Sequence, residues 1–272
     1  MEMKEATKSI LARIVERRRA AVAHRKRVLP EVALKLAVEK RSTPVRDLAG
    51  ALRHEKVSII AELKKASPSR GLLRENYQPS KLAVEMEAAG AAALSVLTEE
   101  EFFQGSLGDL KEAAKSTHIP VLRKDFVIDP WQVWEARAAN ADAFLLIVAI
   151  LDDRELRELL ELGRKLGMEA LVETHSSEEV ERAVNAGARI IGVNNRDLRT
   201  FEVRLEISQK LVESIPEECI AVSESGIHAR ADILRLREVG FDAFLVGEHL
   251  MTMANPGVGL GELLCGEPCE KK

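Results

Sequence analysis

Eight short apolar runs, separations of roughly 20 to 34 residues between their starts, and amphipathic stretches of helical length between them predict an α/β chain. The arrangement is a single (βα)8 TIM barrel with an N-terminal helical extension. The runs begin near Val57, Ala91, Ile119, Asp142, Glu169, Arg189, Cys219 and Asp242. They are continuously apolar rather than alternating, as strands buried on both faces are. Strands that alternate with helices pair in parallel, because each crossover returns the chain to the same edge. An open doubly wound sheet is the rival, and it carries a glycine-rich dinucleotide turn after its first strand. Here the first strand runs into Glu62-Leu63-Lys64-Lys65-Ala66-Ser67-Pro68-Ser69-Arg70-Gly71, which lacks that fingerprint.

Between the runs, residues 79–89, 106–116, 131–139, 152–166, 176–186 and 228–239 read as helices. Asp129-Pro130 supplies an N-cap and a first-turn proline. Gly90, Gly167, Gly187 and Gly240 follow predicted helix ends, where glycine relieves a left-handed turn. Ahead of the barrel, Ile10, Leu11, Ile14, Val15 and Val22 lie mainly on one helical face, interrupted by Arg17, Arg18 and Arg19 and ended by Pro30. Val32, Leu34, Leu36 and Val38 give a weaker continuation, and residues 47–52 one more short helix.

The chain has 272 residues, 46% hydrophobic and 31% charged, ordinary for a soluble globular protein with one large core. Its net charge of −4 gives no general drive toward nucleic acid. Residues 1–56 nevertheless hold 15 Lys/Arg against 7 Asp/Glu, a net of +8, which leaves −12 for the rest. Such an arm either meets an acidic partner or forms a solvated helix face. Cys219, Cys265 and Cys269 are too few for a disulfide framework and lack the neighbours of a zinc site. No metal is expected, and a reducing cytoplasm fits. The N-terminus shows no apolar signal core, and the longest apolar run, residues 143–151, is far short of the ~20 needed to span a bilayer.

Function is concentrated where the strands end. In a barrel these ends converge on one rim. The first ends in Glu62 and Lys64 with Ser67 beyond, and the third in Arg123-Lys124-Asp125-Phe126. The fifth ends in Glu173, the sixth in Asn194-Asn195-Arg196-Asp197, the seventh in Ser223-Glu224-Ser225-Gly226, and the eighth in Gly247-Glu248. Taken singly, each is also a strand-end charge or a turn salt bridge. So many ionisable groups near one mouth are costly unless paired with one another or a ligand. Two lysines among carboxylates offer cations to an anion and a proton to a leaving oxygen. Like-charge packing is expected to make one lysine easier to deprotonate. Glu173 is a candidate base, Asn194 can orient a hydroxyl, and Arg196 can grip a carboxylate or a neighbouring glutamate. Gly226 and Gly247 let backbone N–H groups approach a phosphate, although the same glycines serve tight turns. The residues alone thus predict a cofactor-free acid/base enzyme acting on a small phosphorylated molecule.

The motifs carry a resemblance. Residues 59–69 (Ile-Ile-Ala-Glu-Leu-Lys-Lys-Ala-Ser-Pro-Ser) are similar to the first-strand signature of the indole-3-glycerol phosphate synthase family. So are residues 97–100 (Leu-Thr-Glu-Glu) with 103–106 (Phe-Gln-Gly-Ser), and 120–126 (Pro-Val-Leu-Arg-Lys-Asp-Phe). Later matches are 170–173 (Ala-Leu-Val-Glu), 192–198 (Gly-Val-Asn-Asn-Arg-Asp-Leu) and 224–227 (Glu-Ser-Gly-Ile). The resemblance runs from about residue 5 to residue 253.

It implies closure of 1-(2-carboxyphenylamino)-1-deoxyribulose 5-phosphate to indole-3-glycerol phosphate, with loss of carbon dioxide and water, in tryptophan biosynthesis. It implies no metal or organic cofactor. Lys124 would be the general acid, assisted by Glu62. Lys64 would meet the substrate anion and serve dehydration, with Glu173 as partner acid/base; the division between those two stays open. Asn194, Arg196, Glu224 and Ser225 would form a polar wall, and Ser67, Gly226, Gly247 and Glu248 the phosphate site. Phe103 and Phe126 would flank the anthranilate ring. Leu145 would join them or serve as ordinary core. Residues 1–55 would cover the mouth of one domain spanning residues 1–272. No nucleic-acid or membrane partner is implied, and the expected state is a monomer or weak homo-oligomer.

Two departures stand out. His249 occupies a position where the family commonly has a small residue, and it is expected to point outward. The last helix is expected to be short. The competing readings are an aldolase forming a Schiff base on Lys124, a phosphoribosyl-anthranilate isomerase, and a non-catalytic phosphosugar-binding barrel. The first- and third-strand motifs argue against the isomerase, and the retained lysines and Glu173 against the last.

Overall fold

The computed structural model describes residues 10–53, 56–197 and 200–266. Leu198 of the sixth-strand motif and Cys269 lie outside them. Two N-terminal helices, α1 (Ile10–Val28) and α2 (Glu31–Glu39), meet at Pro30, whose ring suits a helix start but not an interior. A short α3 (Leu48–Leu52) follows, capped by Asp47, which accepts the Gly50 N–H at 2.9 Å.

The barrel then begins with β1 (Ser58–Leu63), followed by α4 (Pro79–Ala88) and β2 (Ala93–Leu97). Next come α5 (Leu107–Lys115), β3 (Val121–Lys124), α6 (Pro130–Ala138), β4 (Ala143–Ile147) and α7 (Asp153–Lys165). The second half holds β5 (Glu169–Thr174), α8 (Ser177–Asn185), β6 (Ile190–Asn194), α9 (Glu206–Leu211), β7 (Ile220–Glu224), α10 (Arg230–Glu238) and β8 (Ala243–Val246). Two more helices, α11 (Glu248–Thr252) and α12 (Pro256–Cys265), close the described chain. Every barrel strand pairs in parallel with its two neighbours, and β8 returns to β1. No helix among the described residues is long and apolar enough to cross a membrane.

The strands start within about two residues of the expected positions. Gly90, Gly167, Gly187 and Gly240 all adopt the left-handed conformation foreseen for them. Three features differ. The ten-residue α12 makes the end of the chain longer in helix than expected. Its Pro256 start is capped by Asn255, which accepts the Val258 N–H at 3.2 Å, and Leu260 and Leu263 are buried. A two-residue hairpin, Ala66–Ser67 with Gly71–Leu72, stands at the mouth beyond β1. The third is α9, six residues long with no side-chain cap, which leaves little periodicity to read.

Period-two alternation gives two apolar layers. Ile60, Leu122, Leu145, Leu171, Ile190, Val222 and Leu245 fill the interior of the barrel. Ile59, Val96, Leu146, Val172, Ile191 and Val246 face the surrounding helices.

The N-terminal segment is tied down by both packing and charge. Val22 and Leu34 pack on buried Trp131 of α6, whose indole donates to Leu29 O at 2.9 Å. Arg46 grips buried Asp142 through its backbone N–H at 2.9 Å and its Nε at 2.7 Å. Arg18 sits four residues from both Ile14 and Val22, on the buried stripe of α1 rather than on a solvated face. It meets Asp125 at 2.8 Å. Arg25 meets Glu135 at 2.5 Å, and Lys26 meets Asp129 at 2.8 Å. Much of the basic excess is therefore matched by the acidic barrel.

Beneath these pairs, Arg123 is 1% exposed and bonds Asp125 at 3.0 Å, Glu135 at 2.8 Å and Gln132 O at 2.9 Å. Removing one partner from a buried ionic network strands the others. Arg123→Met is expected to lower unfolding free energy by about 3 kcal/mol, read by urea denaturation. A change below about 1 kcal/mol would show that the network carries little of the stability.

Candidate active site

The inward alternation that fills the barrel also builds its mouth. Two residues beyond inward Ile60 comes Glu62. Lys124 follows Leu122, Glu173 follows Leu171, Glu224 follows Val222, and Gly247 follows Leu245. Asn194 follows Gly192, which follows Ile190. Each of these residues thus stands at the mouth end of a strand, next above an inward position that is apolar or glycine.

One cavity gathers them. Its polar wall holds Glu62, Lys64, Lys124, Glu173, Asn194, Arg196, Glu224 and Ser225. Leu97, Phe103, Phe126, Leu145 and Ile147 form the apolar side, and Gly226, Gly247 and Glu248 a third side. Ser67 is not on this wall. It lines an adjoining cavity with Ser69, beside Ile10, Leu11 and Ile14 of α1. Ser67, in the hairpin after β1, is buried with its hydroxyl 3.4 Å from that of Ser69, and its cavity shares Lys64, Phe103, Phe126, Arg196 and Glu248 with the first. Leu145 is 2% exposed and serves as both core and cavity lining. The rings of Phe103 and Phe126 lie 6.2 Å apart, tilted by 40°. The loop bearing Phe103 is held by Glu99, which accepts the N–H groups of Phe102 and Phe103 at 2.7 and 3.0 Å.

The charges are interlocked. Lys64 donates to Glu62 at 2.6 Å, and Lys124 donates to Glu173 at 3.1 Å. Lys124 lies 3.6 Å from Glu224, neither of whose carboxyl oxygens has a hydrogen-bond partner among the described residues. Burial pulls Lys124 toward deprotonation, but Glu173, Glu224 and Glu62 outweigh it and raise its pKa. This reverses the expectation of an easily deprotonated lysine: the carboxylates govern, and Lys124 rests as an ammonium.

Burial would raise the pKa of Glu62, yet Lys64 and Lys124 hold it below the usual carboxylate range. Burial likewise opposes ionisation of Glu173, but Lys124, His175 and Asn194 lower its pKa. Glu224 is the residue left over. Burial, with Glu173 and Glu62 close by, pushes it up to about 8 against the pull of Lys124.

Arg196 takes the second of its two expected partners, the neighbouring glutamate. It donates to Glu248 at 3.0 Å, while Arg70 stands 3.4 Å away on the other oxygen. The Glu248 carboxylate is thereby occupied. At the end of β7, Ser225 and Gly226 both have positive φ, +68° and +82°. A non-glycine residue there costs on the order of 1 kcal/mol, and such strain collects at functional sites. A Cβ on Gly226 would stand 2.5 Å from Val203. His249 does not point clear of the site, as expected for it. It joins the cavity wall edge-on to His228, with centroids 5.8 Å apart.

Two contributors escaped the sequence reading. Gly192 makes room for Glu224, because a Cβ would collide with its Oε1. His175 stands 3.5 Å from Glu173. The only sequence signal for it is its spacing, two residues past a candidate base on a strand.

Fold and site together define a (βα)8-barrel enzyme of the acid/base lyase class. A family model described as indole-3-glycerol phosphate synthase matches residues 11–263. A protein named indole-3-glycerol phosphate synthase from Dehalococcoides mccartyi (strain CBDB1) is 48% identical over 94% of this chain and 100% of its own. One of the same name from Koribacter versatilis (strain Ellin345) is 52% identical over 76% of this chain and 80% of its own. The chain belongs to the indole-3-glycerol phosphate synthase family. Solved structures with similar folds include a mandelate oxidase with (S)-2-phenylpropionate, at TM-score 0.60 and 19% identity over 88% of this chain and 83% of that one. Thiamine phosphate pyrophosphorylase from Pyrococcus furiosus matches at TM-score 0.57 and 18% identity, over 76% of this chain and 93% of its own. At those identities the likeness is one of fold alone.

An acid whose folded-state pKa exceeds its unfolded value binds more protons when folded, so its contribution to stability falls as pH rises between the two. For Glu224 that window runs from 4.5 to about 8. Glu224→Gln is therefore expected to narrow the stability difference between the two ends of that window by more than about 1 kcal/mol, read by urea denaturation at both. An unaltered difference would count against the burial of a proton there.

Proposed function

We propose that this chain closes 1-(2-carboxyphenylamino)-1-deoxyribulose 5-phosphate to indole-3-glycerol phosphate, with loss of carbon dioxide and water. The observation that carries this reading is Lys124, an ammonium held among Glu173, Glu224 and Glu62 in the mouth of a barrel of this family.

Lys124 donates a proton to the ketone oxygen as the ring carbon bearing the carboxylate attacks the ketone carbon. The new carbon–carbon bond forms, and the bond to the carboxylate breaks. Its electron pair returns to the ring, and carbon dioxide leaves. In dehydration, Lys64 protonates the departing hydroxyl, driven by the ring nitrogen's lone pair. Glu173 then removes the proton from the adjacent carbon to complete the indole. Two protons are given and one is taken, so each turnover of the carboxylate substrate consumes one proton from solvent. Glu62 holds Lys64 in place through their 2.6 Å bond. Asn194, Ser225 and protonated Glu224 present hydrogen-bonding groups to the sugar hydroxyls. Phe103, Phe126 and Leu145 flank the anthranilate ring, with Arg196 at its polar edge.

The backbone around Gly226, Gly247 and Glu248 receives the phosphate. The pairing of the Glu248 carboxylate with Arg196 and Arg70 supports this, because it offsets an anion beside the dianion. Ser67 reaches the phosphate through the adjoining cavity. Residues 10–53 cover the mouth of the single domain, supported by the lining of that cavity by Ile10, Leu11 and Ile14.

Lys124→Ala is expected to lower turnover by about 10³-fold, followed by indole fluorescence, with the far-UV spectrum unchanged. Full activity would refute the assignment, as would a borohydride-trapped adduct on Lys124, the mark of a Schiff-base lyase. Deleting residues 1–45 is expected to reduce turnover or folding by at least about tenfold. Unchanged turnover would count against the cover.

A further inference from the structure

The proposed reaction needs one net solvent proton per turnover, yet Lys124, 14% exposed, faces the cavity that the substrate fills, and Glu173 beside it is only 2% exposed. His175 lies two residues beyond Glu173. Its Nε2 is buried without a hydrogen-bond partner among the described residues, 3.5 Å from Glu173 Oε1. Lys124 occupies the other oxygen, Oε2, at 3.1 Å. On the outer side, His175 Nδ1 is 3.3 Å from Glu179 Oε2. The ring's setting is fixed by the start of α8. Ser176 accepts the Glu179 N–H at 3.2 Å, and the Glu179 carboxylate accepts the His175 N–H at 2.7 Å. The side chains of His175 and Glu179 are 18% and 19% exposed, so the line from Lys124 through Glu173 and His175 to Glu179 ends at solvent.

We propose that His175 is the proton inlet of the site, a positioning residue that returns protons to Lys124 through Glu173. The inference rests on Glu173 and Lys124 acting as assigned above. After ring closure Lys124 is a neutral amine. The His175 imidazolium gives its Nε2 proton to Glu173 Oε1. The resulting carboxyl passes a proton to Lys124, restoring the ammonium and the carboxylate. The ring keeps its Nδ1 proton against Glu179 and regains the other from solvent. The proton that Glu173 later takes from carbon leaves by the same route, and Lys64, 14% exposed, is recharged from solvent at the mouth, so two protons enter and one leaves per turnover. The charged groups facing the ring are Glu173 on β5, Glu179 on α8 and Glu224 on β7. Burial disfavours the imidazolium, but these carboxylates outweigh it and raise the His175 pKa. Below this raised pKa the imidazolium is the donor, and turnover is lost as pH rises through its titration.

The test uses the full chain. For His175→Gln, kcat is expected to fall about tenfold with KM changed less than about twofold. The variant also loses the wild-type limb in which kcat declines with rising pH, and added imidazole restores part of the rate. In parallel, the His175 titration in the ligand-free protein is followed by ¹⁵N NMR, and it is expected to move to lower pH in Glu173→Gln and in Glu179→Gln. Wild-type kcat and an unchanged pH profile in His175→Gln would overturn the proposal. A His175 titration unmoved by Glu173→Gln would overturn it equally. If His175→Gln does not fold, His175→Asn and the NMR titration decide. Wild-type protein inert toward the substrate would overturn the proposed function, while the NMR result would still report whether the two side chains are linked.

Discussion

Two lysines face three carboxylates in the mouth of this barrel, and that imbalance governs the site. Lys64 is committed to Glu62, so Lys124 must serve Glu173 and Glu224 together. It cannot neutralise both. Glu173, which also has His175 and Asn194 beside it, keeps the negative charge, and Glu224 keeps a proton. The cluster therefore holds an acid and a base of the same residue type side by side, their roles set by neighbours rather than by identity. Gly192 and Gly247 permit the crowding, since a methyl group at either would meet Glu224 or Glu62.

The barrel was legible because its physics is local and repeated. Each strand is a run of hydrocarbon of about the right length, and glycine or proline marks many of the turns between strand and helix. The polar residues at the strand ends were legible for a related reason. A charged side chain that follows an inward apolar position has nowhere to go but the mouth. That single rule places Glu62, Lys124, Glu173 and Glu224 in one cavity.

What was not legible depends on contacts between distant segments. Its spacing of four residues from Ile14 and from Val22 puts Arg18 on the buried stripe, but nothing near it names Asp125 as its partner. The setting of Ser67 in the adjoining cavity comes from a hairpin of two-residue strands, too short to leave a pattern. The direction of the Lys124 shift depended on whether a second lysine or a set of carboxylates lay nearer, which strand order alone does not tell. His175 was read past because a histidine after a strand is ordinary. Only its unpartnered nitrogen beside Glu173 sets it apart.

The pairing of Arg18 with Asp125 and of Arg25 with Glu135 has a consequence for how the chain is made. The first helix emerges from the ribosome well before the third strand and sixth helix that hold its arginines. Until those segments arrive, α1 is a cationic amphipathic rod without its acidic partners. Its ion-paired docking can only follow synthesis of the first three of the eight strands. A helix made before its partners thus settles only after them.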